Sequence, residues 1–99
     1  MYAQVSSITL QPGKVDEWLA ITRDAILPAA RERPGFVSAL ILVDREKHTG
    51  IGISIWETEA DVEAVAASGF YQEQVAKVAG CLVGTAERQV LEVAIDVRR

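Results

Sequence analysis

Residues 2–10 (YAQVSSITL) are β-tolerant and partly alternate apolar with polar, which predicts a first strand. Gln11-Pro12-Gly13-Lys14 is a turn, because Pro12 and Gly13 do not continue a central strand. From Val15 the period lengthens. Val15, Trp18, Leu19, Thr22, Ala25, Ile26 and Ala29 share one face at helical spacing, while Asp16, Glu17, Arg23 and Arg31 fall elsewhere. Pro28 is expected to kink this helix or tighten its last turn, and Pro34-Gly35 to end the segment.

Residues 36–43 (FVSALILV) predict a strand with two apolar faces: Phe36, Leu40 and Leu42 on one, Val37, Ala39, Ile41 and Val43 on the other. Residues 44–50 are a polar hairpin turn and residues 51–57 the returning strand. Thr58-Glu59-Ala60-Asp61 has the form of a capping box and opens a helix through about Ala67. Ser68-Gly69 breaks it, and Tyr71, Val75, Val78 and Leu82 mark a second short helix. Residues 88–97 read as a long last strand, with Leu91, Val93, Ile95 and Val97 alternating with Val90, Glu92, Ala94 and Asp96. The order β-α-β-β-α(α)-β predicts an α+β, ferredoxin-like single domain over residues 1–99 with an antiparallel sheet. Right-handed crossovers put both helical segments on one sheet face. The other face is too apolar to be wet, and a second copy of the chain is the economical cover, so a homodimer through the sheet is expected.

Composition narrows the function classes. A chain of 99 residues with net charge −4 and scattered basic residues lacks the footprint of a nucleic-acid or anionic-membrane binder. Cys81 is the sole cysteine, so no intrachain disulfide or cysteine metal cage can form, which fits a reducing compartment. Met1-Tyr2-Ala3-Gln4 does not start a secretory signal, and no apolar run approaches a membrane span. A soluble cytoplasmic protein is the expectation.

Few side chains invite chemistry. Trp56 shares its side of the third strand with Gly52 and Ser54; it is either a large core residue or one wall of a site where a flat ligand approaches the Gly52 backbone. Phe70 and Tyr71 open the second short helix as lid packing or as pocket aromatics. Ser6, Ser7 and Ser54 are strand hydroxyls that line a cavity or bond nearby backbone. His48, the sole histidine, lies in a charged hairpin turn and reads as a solvated side chain, which leaves little basis for a catalytic triad or a histidine metal site. Glu92 and Asp96 share a strand face and read as partners for Arg88 or Arg45 across a dimer; Cys81 reads as a small buried hydrophobe. Gly50-Ile51-Gly52 lies in a hairpin, so it is no dinucleotide fingerprint.

Three stretches, Arg33-Pro34-Gly35-Phe36-Val37, Ile55-Trp56-Glu57-Thr58-Glu59-Ala60 and Ser68-Gly69-Phe70-Tyr71, resemble the antibiotic biosynthesis monooxygenase superfamily over roughly residues 2–97. The resemblance implies a dimeric α/β barrel, two ferredoxin-like sheets closed back to back. The superfamily includes cofactor-free monooxygenases and haem-degrading enzymes. The places of the haem degraders' Asn, Trp and His hold Ser6, Val65 and Val75 here, so that chemistry is not expected. Trp56 matches a tryptophan of some monooxygenases, whereas their Asn and Tyr places hold Gly52 and Val62. The resemblance implies cofactor-independent oxidation of a small aromatic by O2 and carries over Trp56 as an orienting group. From their own places in the elements, Tyr71 is expected as the second catalytic orienting group and Ser7, Gly52, Ser54 and Phe70 as substrate-binding residues. The alternative is a non-catalytic homodimer that binds a small ligand or another protein.

Overall fold

The computed structural model describes residues 1–99. Strand β1 (Tyr2–Thr9) leads into helix α1 (Val15–Ile21), a π-helical turn (Thr22–Ile26) and helix α2 (Leu27–Arg31). The hairpin β2 (Phe36–Asp44) and β3 (Thr49–Trp56) follows, then α3 (Glu59–Ala67), α4 (Phe70–Lys77), a 3₁₀ turn (Ala79–Cys81) and β4 (Glu87–Glu92). The sheet order is β2-β3-β1-β4, with every neighbouring pair antiparallel. This is the expected ferredoxin-like α+β fold.

Local chemistry sets the boundaries. Thr58 caps α3 by accepting from the Asp61 N–H at 3.1 Å, and its hydroxyl donates to the Asp61 carboxylate at 2.8 Å. Gly69, at φ 83, starts α4 in a conformation that favours glycine. In the β2–β3 turn, Asp44 Oδ1 accepts from the N–H groups of Glu46 and Lys47.

Three features depart from the sequence expectations. First, the helix after β1 widens instead of kinking at Pro28. Leu27 N–H bonds to Thr22 O, five residues back, which inserts one residue's worth of backbone just before the proline. The inward stripe slips accordingly: Ala25 is exposed, and Trp18, Thr22, Ile26 and Ala30 face the sheet side. Second, a β-bulge at Val37 shifts the register of β2, so that Phe36 pairs with Trp56 and Ser38 with Ile55. Phe36 therefore lies with Ala39 and Ile41 on the helix-covered face, and Val37 is exposed. Third, β4 stops at Glu92. Its ladder with β1 closes at Tyr2↔Glu92 and a bond from Val93 N–H to Met1 O, and residues 94–99 have no strand beside them. Within the chain Arg88 turns inward to Gln4, Arg45 pairs with Asp16 and Asp96 with Arg98.

The helices cover one face only. Alternation leaves Val5, Leu40, Leu42, Ile51, Ile53, Ile55 and Leu91 on the bare face, where Leu40 is 57% exposed. On the covered face the interior is divided. One buried cluster holds Ile8, Leu10, Val15, Trp18, Val78, Cys81 and Leu82; a second holds Trp56, Val62 and Val65. No helix is long and apolar enough to cross a membrane.

Candidate functional site

Between the two core clusters lies a cavity of about 130 Å3, lined by members of both, including Ile8, Trp18, Trp56 and Val65. It persists because small residues stand where the layers face each other: Ala30 of α2, Ala39 of β2, Gly52 and Ser54 of β3, and Ala86 before β4. At Gly52 an added Cβ would meet only Ile41 Cδ1, at 3.6 Å. The space beside that backbone is open.

Trp56 is 1% exposed and forms one wall, edge-on to Phe36 with ring centroids 5.6 Å apart. Its indole N–H is already engaged, donating to Ser54 Oγ at 2.9 Å. The two residues share a strand face two positions apart, which makes this pairing local.

The polar atoms gather on the side of β1 and α4. Tyr71 OH lies 2.8 Å from Ser6 Oγ. Gln4 and Ser6, two apart on β1, share the covered face; Tyr71 and Gln74, three apart on α4, share a helix face. Arg88 stands behind them, with Nε donating to Gln4 Oε1 at 2.7 Å, Nη2 donating to Val62 O at 3.0 Å, and its guanidinium 5.7 Å from the Tyr71 ring centroid. Lys77 Nζ donates to Gln74 Oε1 at 2.8 Å. On the opposite wall, Thr22 is buried and its hydroxyl has no partner. The lining contains no carboxylate, imidazole, amine or guanidinium.

Of the residues singled out from the sequence, Trp56, Tyr71, Gly52, Ser54 and Phe70 all line this cavity. Phe70 is held from outside by the Arg33 guanidinium, 4.8 Å from its ring centroid. Ser7 is a correction. The pleat points it to the bare sheet face, and Ser6 takes its place beside Tyr71. His48 is half-buried rather than solvated; it closes the hairpin at φ 56, and its Nδ1 is unpartnered. Cys81 is the buried hydrophobe expected, and burial together with its hydrogen bond to Glu17 pushes its thiol up to about 11. No three His, Cys, Asp or Glu side chains converge as a metal-binding group.

Gln4, Thr22, Gln74 and Arg88 carry the rest of the polar character, and none of them stood out in the sequence as a site residue. Gln74 was the most legible, being a polar residue three after Tyr71 on the apolar stripe of its helix.

The family model of antibiotic biosynthesis monooxygenases matches residues 1–77. Among curated proteins, the chain is similar to the uncharacterised proteins Rv2558 and Rv2557 of Mycobacterium tuberculosis. Identity to the first is 41% over 70 residues, covering 67% of this chain and 30% of that protein; to the second it is 35% over 78 residues, covering 79% and 32%. The chain thus spans about a third of the length of these relatives. Among solved structures, a monooxygenase from ActVA-Orf6 of Streptomyces coelicolor, in complex with Nanaomycin D, superposes with a TM-score of 0.81 at 16% identity, covering 99% of this chain and 91% of that one. A point mutant of SnoaB, a cofactor-independent oxygenase from Streptomyces nogalater, gives 0.72 at 16% identity, covering 99% and 97%. At these identities the superpositions speak to fold.

Proposed function

Because this chain belongs to the antibiotic biosynthesis monooxygenase family, we propose that its cavity binds a small electron-rich aromatic, a hydroquinone or polyketide-like phenol, and brings it to react with O2 without flavin or metal. The observation that carries this reading is the cavity itself, apolar over most of its wall and polar at one corner. Its volume of about 130 Å3 selects for size. An apolar cavity of about 150 Å3 holds benzene, so this space is close to the size of a single ring, and a fused polycycle must extend beyond it. The fold shared with the ActVA-Orf6 and SnoaB proteins supports the same class of chemistry.

The phenol loses its proton, and the electron-rich ring passes an electron to O2. A C–O bond then forms at a ring carbon bearing hydrogen. Collapse to the quinone leaves one oxygen atom in the new carbonyl; the other departs as water with the phenolic and ring hydrogens. Trp56, packed against Phe36 and bonded to Ser54, fixes the shape of the wall, and Tyr71 supplies a hydroxyl for the substrate oxygen, with Ser54, Gly52 and Phe70 shaping the space. With no carboxylate or imidazole in the lining, the substrate's own acidity and donated hydrogen bonds set how readily the anion forms.

A second copy covering the bare face formed by Leu40, Leu42, Ile53 and Leu91 completes the reading as a homodimer. Sedimentation as a monomer at micromolar concentration would reject it. For the reaction, oxygen uptake by metal-free protein is measured with hydroquinones and dihydroxynaphthalenes against the autoxidation blank. Uptake above the blank that is lost on heat denaturation is expected, and Tyr71→Phe and Trp56→Phe should reduce it by about tenfold or more. Unchanged turnover in both variants rejects their roles. The absence of a carboxylate, imidazole or amine from the lining favours a second reading, a non-catalytic binding protein; an aromatic that co-purifies and is never consumed would establish that instead.

A further inference from the structure

The two glutamines of the cavity are oriented by partners that can only donate. Gln4 is 9% exposed and Gln74 7%. Arg88 Nε and Lys77 Nζ have no acceptor capacity, so the amide atom facing each must be oxygen. That fixes both amides one way round and leaves both NH2 groups, neither of which has a protein partner, as donors. The Ser6–Tyr71 pair adds a third donor. Two hydroxyls that share one mutual bond retain one further O–H between them. These groups are contiguous, because Gln4 and Ser6 are neighbours on one strand face, Tyr71 and Gln74 on one helix face, and the 2.8 Å contact joins strand to helix. The corner therefore offers donors to a ligand oxygen and no negative charge, with the Arg88 cation behind it.

We propose that Gln4 and Gln74, with the Ser6–Tyr71 pair, form an oxyanion site that binds the phenolic oxygen of the ligand in its ionised form. The proposal rests on the reading of the cavity as an aromatic site and assigns how the anion needed for oxidation is held. Arg88 and Lys77 act as positioning residues, each fixing one amide. Donors aimed at an anion stabilise it over the neutral acid and lower the acid's pKa. The charged groups around the corner are Arg88 from β4 and Lys77 from α4, and Tyr71 is its titratable group. Tyr2 on β1 lies further along the same strand face, where Glu59 of α3 and then Glu92 of β4 push its hydroxyl's pKa up; none of these three lines the cavity.

The test uses 4-fluorophenol, a single-ring phenol, titrated with the intact protein under nitrogen and followed by its fluorine NMR shift, which reports ionisation. The bound phenol is expected to ionise about one pH unit below the free one, a tenfold preference for the anion. Its affinity should rise with pH up to the free pKa and level off above. Gln74→Leu and Gln4→Leu should each cut the preference at least threefold, and Gln74→Glu should abolish or invert it by setting a carboxylate beside the oxygen. If Gln4→Leu does not fold, the two Gln74 variants on the outer helical layer decide. A bound phenol that titrates at or above its free value, a shift untouched by Gln74→Leu and Gln74→Glu, or no binding at all overturns the proposal. Because no O2 is present, a lowered pKa without oxygen uptake would sink the oxygenase reading and leave this one standing.

Discussion

The substitution Gly50→Ala tests how tightly the first core cluster grips the sheet. Gly50 sits on β3 opposite Ile8 and Val43, and the Trp18 indole lies flat against it. A Cβ built there would stand 2.6 Å from Trp18 Cη2, 2.9 Å from Cζ3 and 3.1 Å from Cζ2. Carbon atoms prefer a separation of about 3.5 Å or more, so the ring must retreat by about 1 Å. It is 4% exposed and packed with Ile8, Val15 and Val78, and it has no flexible end to swing aside. The remaining direction is into the cavity it lines. Overpacking of this kind costs about 1–3 kcal/mol, and a domain of this size loses roughly 4–8 °C of Tm for each. Thermal and urea unfolding measure the loss, and Trp18→Phe removes the colliding ring atoms. In that background Gly50→Ala should cost at least ~1 kcal/mol less than in the wild type. A Gly50→Ala protein within ~0.5 kcal/mol of wild type, or a cost that Trp18→Phe leaves unchanged, would refute the packing argument.

Thr22→Val exchanges a buried, unpartnered hydroxyl for a methyl group of similar size and should raise unfolding stability by about 1 kcal/mol in denaturant titrations; a loss would mean that the hydroxyl has a partner in solution. Gly52→Ala meets only an ordinary contact with Ile41, so thermal stability should hold or rise by up to about 1 kcal/mol while affinity for 4-fluorophenol falls, and unchanged affinity would place the ligand elsewhere. Burial, aided by the Glu17 hydrogen bond, moves the Cys81 thiol from 9.0 to about 11, so near pH 8 it carries about a hundredfold less thiolate than in the unfolded chain, and iodoacetamide should alkylate the native protein correspondingly slowly. Because the folded state holds this proton more tightly, its contribution to stability is complete below about pH 9 and is lost as the pH climbs towards 11; a urea midpoint that does not fall across that window more than in Cys81→Ala would contradict the assignment.

Most of the architecture was legible because period and breakers agreed. The strand, helix and hairpin order follows from alternation, the Thr58 cap and the glycines at turns. What escaped were insertions of a single residue. The π turn before Pro28 and the bulge at Val37 each add one residue to a periodic element, and each moves every side chain on one side of it to a new phase. No composition signal marks the bulge, and Pro28 announces a disturbance without saying whether the helix will bend or widen. The end of β4 was hidden for a different reason: residues 94–97 keep a strand-like alternation, but a strand exists only where a neighbour offers hydrogen bonds, and within the chain none lies beside them. The site divides similarly. Its aromatic members stood out by type, whereas Ser6 was separated from Ser7 only by the pleat, and the roles of Gln4 and Gln74 depend on which cation holds each amide.

Gly50 and Gly52 make the strongest case that the void has a use. They lie one pleat apart on the same face of β3, so they share backbone type, strand and layer. At Gly50 packing demands the glycine, since Trp18 fills the space a side chain would take. At Gly52 packing demands nothing of the kind: the site admits a Cβ with one ordinary contact, and a strand interior gains from a side chain there. Protein interiors are otherwise filled to crystal-like density, and empty apolar volume costs stability in proportion to its size. A chain under pressure for stability alone would place a larger residue at Gly52, and at Ala39 beside it. It keeps the floor of the cavity bare and lines its far corner with donors, an arrangement that a flat oxygen-bearing ring accounts for and core packing does not.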